Sequence, residues 1–95
     1  MQIQYNTAPD TSYNGWTNYE TWLVNLWITN DYNDYQYFKE LVDGCNDLVE
    51  ASQTLQDYIE EGNPLNEDST IYTDLLRASL GAVNWFEIAQ GFTED

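Results

Sequence analysis

Apolar side chains recur along this chain at helical rather than strand spacing. Tyr19, Trp22, Leu23, Leu26 and Trp27 follow the i, i+3, i+4, i+7, i+8 series of one helical face. Just ahead of them, Thr17-x-x-Glu20 has the form of a capping box, in which each side chain satisfies a free backbone N–H at the helix start. The polar stretch Thr29-Asn30-Asp31 ends this element. A second series starts near Asn33 or Asp34 and runs through Phe38, Leu41, Val42, Cys45, Leu48, Val49, Ser52, Leu55 and Ile59. Its phase survives Gly44. A mid-helix glycine costs about 1 kcal/mol against alanine, so a continuous helix and a break at Gly44-Cys45 both stay open. Gly62-Asn63-Pro64 closes the element, with glycine expected in the left-handed position after the helix and proline preventing continuation.

Asn66-Glu67-Asp68-Ser69 supplies cap-forming and acidic residues for a third helix, whose inward face is expected to be Tyr72, Leu75, Leu76, Ser79, Leu80 and Val83. Asn84-x-x-Glu87 is a second capping-box pattern, and Val83 and Ile88 occupy the two positions of a hydrophobic staple. A short last helix then runs to about Phe92. Residues 1–15 are polar, carry the turn formers Pro9, Asp10, Asn14 and Gly15, and read as a loose or short extended arm. Residues 16–95 read as one all-α domain, a small bundle of about four helices.

At 95 residues the chain has room for one hydrophobic core. Its 42% hydrophobic and 16% aromatic content separates it from a disordered acidic tail. The charge is lopsided: 17 Asp and Glu face only Lys39 and Arg77, giving a formal net charge of −15. Binding to nucleic acid or to an anionic membrane needs clustered cations, so both are excluded and a basic partner is expected. The absence of histidine and the presence of a single cysteine, Cys45, remove zinc sites of the usual kind, Ser-His-Asp triads and Cys-His dyads. A non-enzymatic protein without metal or cofactor is expected. The opening MQIQYNTAPDTS lacks the basic and apolar regions of a signal peptide, and no apolar run is long enough to span a bilayer. The expected location is the cytoplasm, of a host cell if the gene belongs to a phage.

Gly15-Trp16-Thr17-Asn18-Tyr19-Glu20-Thr21-Trp22, followed by Asn25-Leu26-Trp27, resembles the opening of a family of small phage and bacterial proteins. Asn63-Pro64-Leu65, Tyr72-Thr73-Asp74-Leu75-Leu76 and Asn84-Trp85-Phe86-Glu87-Ile88-Ala89 resemble its second half. The resemblance covers roughly residues 15 to 92 and is weakest between 33 and 60. It implies a helical domain often carried by phages, with no catalytic residue and no activity to transfer.

On a helical wheel, Glu40, Asp43, Asp47, Glu50, Asp57 and Glu61 fall within an arc of about 100° opposite the apolar stripe. In a continuous helix they span roughly 31 Å, close to the ~34 Å of one DNA duplex turn. A plain solvated face is the bland alternative. It is weakened here because ordinary surfaces intersperse Lys among Glu. Salt adaptation is a further rival. Tyr32, Tyr35 and Tyr37 interleave with Asp31 and Asp34 as an expected exposed patch, whereas Trp16, Tyr19, Trp22, Trp27, Trp85 and Phe86 are expected mainly in the core. Asp31-x-Asn33-Asp34 fails as an EF-hand because Tyr35 and Gln36 occupy its fifth and sixth positions.

The expectation from sequence is therefore an inhibitor of phage type, anti-CRISPR or anti-restriction, that mimics nucleic acid. It presents Asp31, Asp34, Tyr35, Glu40, Asp43, Asp47, Glu50, Asp57, Glu60 and Glu61 to the basic channel of a nucleic-acid-binding protein. A homodimer stays open, since a two-fold pair extends the negative row. The alternatives are a non-enzymatic adaptor that binds through the aromatic and Asn-rich surface of the first helix, and a structural component of the virion.

Overall fold

Asn18, not Thr17, starts the first helix. In the computed structural model, which describes residues 11–65 and 69–93, Asn18 has extended backbone and its side chain accepts a hydrogen bond from Thr21 N at 2.9 Å. The helix α1 spans Tyr19–Thr29. Asp31 caps α2 (Tyr32–Asp43), its carboxylate accepting from the backbone N–H of Asn33 and Asp34. The long second helix expected from sequence is broken: α3 spans Leu48–Glu61 and has its own N-cap, Asp47, which accepts from Glu50 N at 2.8 Å. Glu50 in turn accepts from Asn46 through both its backbone and side-chain nitrogen. Gly44 has an ordinary right-handed φ of −78°, so the break is made by the Asp47 cap and not by glycine's conformational freedom. Gly62 is likewise right-handed, with φ −81°, rather than in the left-handed position expected of it.

Thr70 caps α4 (Ile71–Gly81) in a reciprocal capping box with Thr73, so the cap lies beyond the Asn66-to-Ser69 stretch expected to provide it. Residues 66–68 of that stretch lie outside the described residues. Asn84 caps α5 (Trp85–Thr93), accepting from Glu87 N at 3.1 Å, and the expected staple residues Val83 and Ile88 are both buried. The architecture is all-α, with five helices among the described residues rather than four because of the break at 44–47.

Helix α5 is the centre. It packs against α1, α2 and α3, burying Trp85, Ile88, Ala89 and Phe92 at i, i+3, i+4, i+7 spacing. α2 and α3 run antiparallel: the Tyr37 and Phe38 rings at the middle of α2 each lie 5.4 Å from the Tyr58 ring near the end of α3, whereas Cys45, just past the end of α2, reaches back to Thr54 at 3.7 Å. Ile28, Phe38, Val42, Ala51 and Leu55 complete the core. α4 packs far more sparsely on the other helices.

The first ten residues of the expected arm lie outside the described residues. The following segment is not loose: Tyr13 and Trp16 exchange two backbone hydrogen bonds across Asn14 and Gly15, both with positive φ, as a type I′ turn requires. The turn sets the Tyr13 ring 5.0 Å from Tyr19 and 4.9 Å from Trp22. Among the described residues no helix is long and apolar enough to cross a membrane.

Candidate functional site

Two surfaces compete for the role of site, one acidic and one aromatic. The acidic one is the row expected along residues 40–61, and the turn at 44–47 folds it back on itself. Glu40 and Asp43 lie on α2, where Asp43 sits 3.8 Å from Lys39 Nζ. Asp47, Glu50, Asp57 and Glu61 keep a common face of α3 and extend about 21 Å at 1.5 Å per residue. The straight 31 Å row does not exist. Several of these carboxylates also have local structural duties: Asp31 and Asp47 cap helices, Glu50 holds Asn46, and Asp57 accepts from Gln53 Nε2 at 2.8 Å. Glu60, expected to face the partner beside that row, does not share its exposed face. It is half-buried and lines a cavity of about 230 Å³ with Asn63, Arg77 and Leu80.

The expected Tyr/Asp patch is also divided. Tyr32 is well exposed and Asp34 is exposed, but Tyr35 is half-buried, stacked on Phe92 with ring centroids 5.6 Å apart. Tyr37 is half-exposed, and its hydrogen bond with Tyr58, aided by partial desolvation, pushes its phenol above the ordinary value.

The aromatic surface comes from the residues that sequence periodicity assigns to the core. α1 is anchored through the opposite side, by Thr21, Val24 and Ile28. Thr21 is fully buried, its hydroxyl donating to Asn18 Oδ1 at 2.6 Å and accepting from Asn84 N at 2.9 Å. That anchoring turns the Tyr19, Trp22, Leu23, Leu26, Trp27 stripe outward. Tyr19 and Leu26 are exposed, Trp22 and Leu23 half-buried, and Trp27 is 72% exposed. With Tyr13 folded over Tyr19 and Trp22, the stripe is a continuous aromatic and aliphatic face. The sequence did carry a signal for this. Val24 and Ile28 lie opposite the stripe, so α1 is apolar on both sides, and an apolar helix with one side in the core leaves the other to be covered.

Acidic residues bracket this face along the chain. Glu20 stands at its start, and Asp31 and Asp34 follow its end. An apolar centre with a charged rim is the usual anatomy of a protein-binding surface. Beside it, Trp16, Asn25, Thr29, Tyr35, Gly91 and Phe92 line a shallow cavity of about 290 Å³, at the lower limit for small-molecule pockets.

Residues 9–94 match a family of unknown function, DUF7249, and the chain belongs to that family. No curated protein matches the chain. No solved structure matches it either.

Proposed function

We propose that this protein is a non-enzymatic interaction module that docks on a partner protein through the outer face of α1. The observation that carries the reading is the outward stripe of Tyr19, Trp22, Leu23, Leu26 and Trp27 on a helix whose opposite side is already packed. Trp and Tyr are the side chains that most often dominate binding energy, because they bury a large area for little conformational entropy. The partner suited to this surface has an apolar groove flanked by Lys and Arg, which pair with Glu20, Asp31 and Asp34 at the rim. The net charge of −15 adds steering toward such a partner. Nucleic-acid-processing proteins of the host are the natural class of basic target, and an inhibitor or adaptor acting by occupancy fits the residues present.

A second reading has one observation in its favour. Asp47, Glu50, Asp57 and Glu61 lie along a single face of α3, and in this reading they substitute for phosphates in the basic channel of a CRISPR effector or restriction enzyme. The two readings separate in a capture experiment from host lysate with the wild type, Trp27→Ala, and the pair Asp57→Lys with Glu61→Lys. Loss of a basic partner with Trp27→Ala supports docking through α1. Unchanged capture by Trp27→Ala, with loss on charge reversal, overturns it in favour of phosphate mimicry.

A further inference from the structure

Helix α4 presents a second outward apolar stripe, made of residues other than those of α1. Taking 100° per residue, Ile71, Tyr72, Leu75, Ala78, Ser79 and Ala82 occupy an arc of about 120°. Thr73 and Leu80, on the opposite side, hold the helix to the protein. Sequence periodicity places Tyr72, Leu75 and Ser79 on the inward face, but the structure turns all three outward. Ile71 is 68% exposed, Tyr72 72% and Leu75 61%. Ala78, Ser79 and Ala82 are exposed as well.

Two features identify the occupant. The first is charge. α4 carries one carboxylate, Asp74, and one guanidinium, Arg77, and is net neutral, whereas α1, α2, α3 and α5 are each net negative. A second copy of a chain of charge −15 is repelled by the acidic faces and approaches at least cost where charge cancels. The second is shape. The stripe tapers from large side chains at its start to small ones at its end. In an antiparallel two-fold pair, Ile71 and Leu75 of one copy lie over Ala82 and Ala78 of the other, large on small at both ends. Such self-complementarity is what an isologous interface requires.

We infer that α4 is a homodimerisation face, pairing antiparallel with the α4 of a second copy. The inference does not rest on the reading of α1, since none of the stripe residues of α1 takes part in it. An interface of one helix face per copy is small, so the dimer is weak, with a Kd on the order of micromolar. Salt screens the repulsion between the two copies, so the dimer tightens as salt rises, the reverse of an association driven by opposite charges.

Sedimentation of the full chain across protein concentration, at about 50 mM and about 500 mM salt, tests this. The expected result is a monomer–dimer equilibrium that strengthens at high salt and weakens at least about tenfold in Leu75→Lys or Tyr72→Lys. Both substitutions fall at exposed positions, so circular dichroism is expected to show unchanged helix content. A chain that stays monomeric at both salts overturns the proposal. So does a dimer that resists Leu75→Lys, or one that is lost on Trp27→Ala instead.

Discussion

Thr17 and Glu87, 70 residues apart, are joined at 3.0 Å by a hydrogen bond from the Thr17 backbone N–H to the Glu87 carboxylate. Both residues belong to local capping-box patterns, and neither box closes on itself. Asn84 N donates to Thr21 Oγ1, Asn84 Nδ2 donates to Thr17 Oγ1, and Asn18 Nδ2 donates to Ala82 O at 2.7 Å. The N-termini of α1 and α5 thus exchange the partners that each cap lacks. This exchange fixes the rotation of α1, and with it the outward turn of the aromatic stripe.

Thr21→Val is expected to destabilise the fold by about 1–3 kcal/mol, because it strands the Asn84 N–H in a buried site while keeping the shape of the side chain. Thr21→Ser keeps the hydroxyl and should cost less. Chemical denaturation of the two variants checks the order. A Val variant as stable as the Ser variant contradicts a structural role for the hydroxyl.

Trp27→Ala is expected to change stability by no more than about 0.5 kcal/mol, since the side chain lies on the surface. A core tryptophan truncated to alanine loses about 3–5 kcal/mol. Thermal melting therefore distinguishes the outward stripe from the packed one that periodicity suggests.

Charge reversal should divide the acidic row by structural duty. Asp57→Lys and Glu61→Lys, on the exposed face of α3, leave the helix content intact. Asp47→Lys removes the N-cap and is expected to cost about 1 kcal/mol. Equal destabilisation at all three positions, measured by urea unfolding, contradicts the assignment of Asp47 as the residue that breaks the long helix.

Lys39 Nζ donates to the Phe92 carbonyl at 3.0 Å, placing a cation at the C-terminal end of α5. Lys39→Met keeps most of the side-chain stem and removes this contact, and is expected to lower stability by about 1 kcal/mol. Amide exchange should show the last turn of α5 opening more readily than the rest of the helix. Uniform exchange along α5 counts against the contact.

Tyr37 has its phenol pushed upward chiefly by the side-chain hydrogen bond with Tyr58, with desolvation and the Tyr58 charge adding to it. A folded pKa above the unfolded one favours the protonated form. The stability it contributes is complete below the ordinary phenol value of about 10 and is lost as pH rises through the higher folded value. Spectrophotometric titration of Tyr37→Phe should lack a phenol that in the wild type ionises above the ordinary value. An unchanged alkaline limb argues against the pairing.

Sequence by itself determined the helical class, the cap at Asn84 with its Val83 and Ile88 staple, and the excess of negative charge, because these depend on local backbone chemistry and on composition. It also held the break in the long helix, in Asp47-x-x-Glu50, a pattern masked by the unbroken apolar phase through Gly44. Tertiary structure alone decided which side of α1 and α4 meets the core. On α1 both sides are apolar, so periodicity permits either rotation, and the hydrogen bonds that Thr21, Asn18 and Thr17 make to the start of α5 select one. On α4 the burial of Thr73 and the packing of Leu80 against the core turn Ile71, Tyr72 and Leu75 outward. Helical spacing specifies a stripe, whereas on α1 its direction comes from contacts between residues more than sixty positions apart.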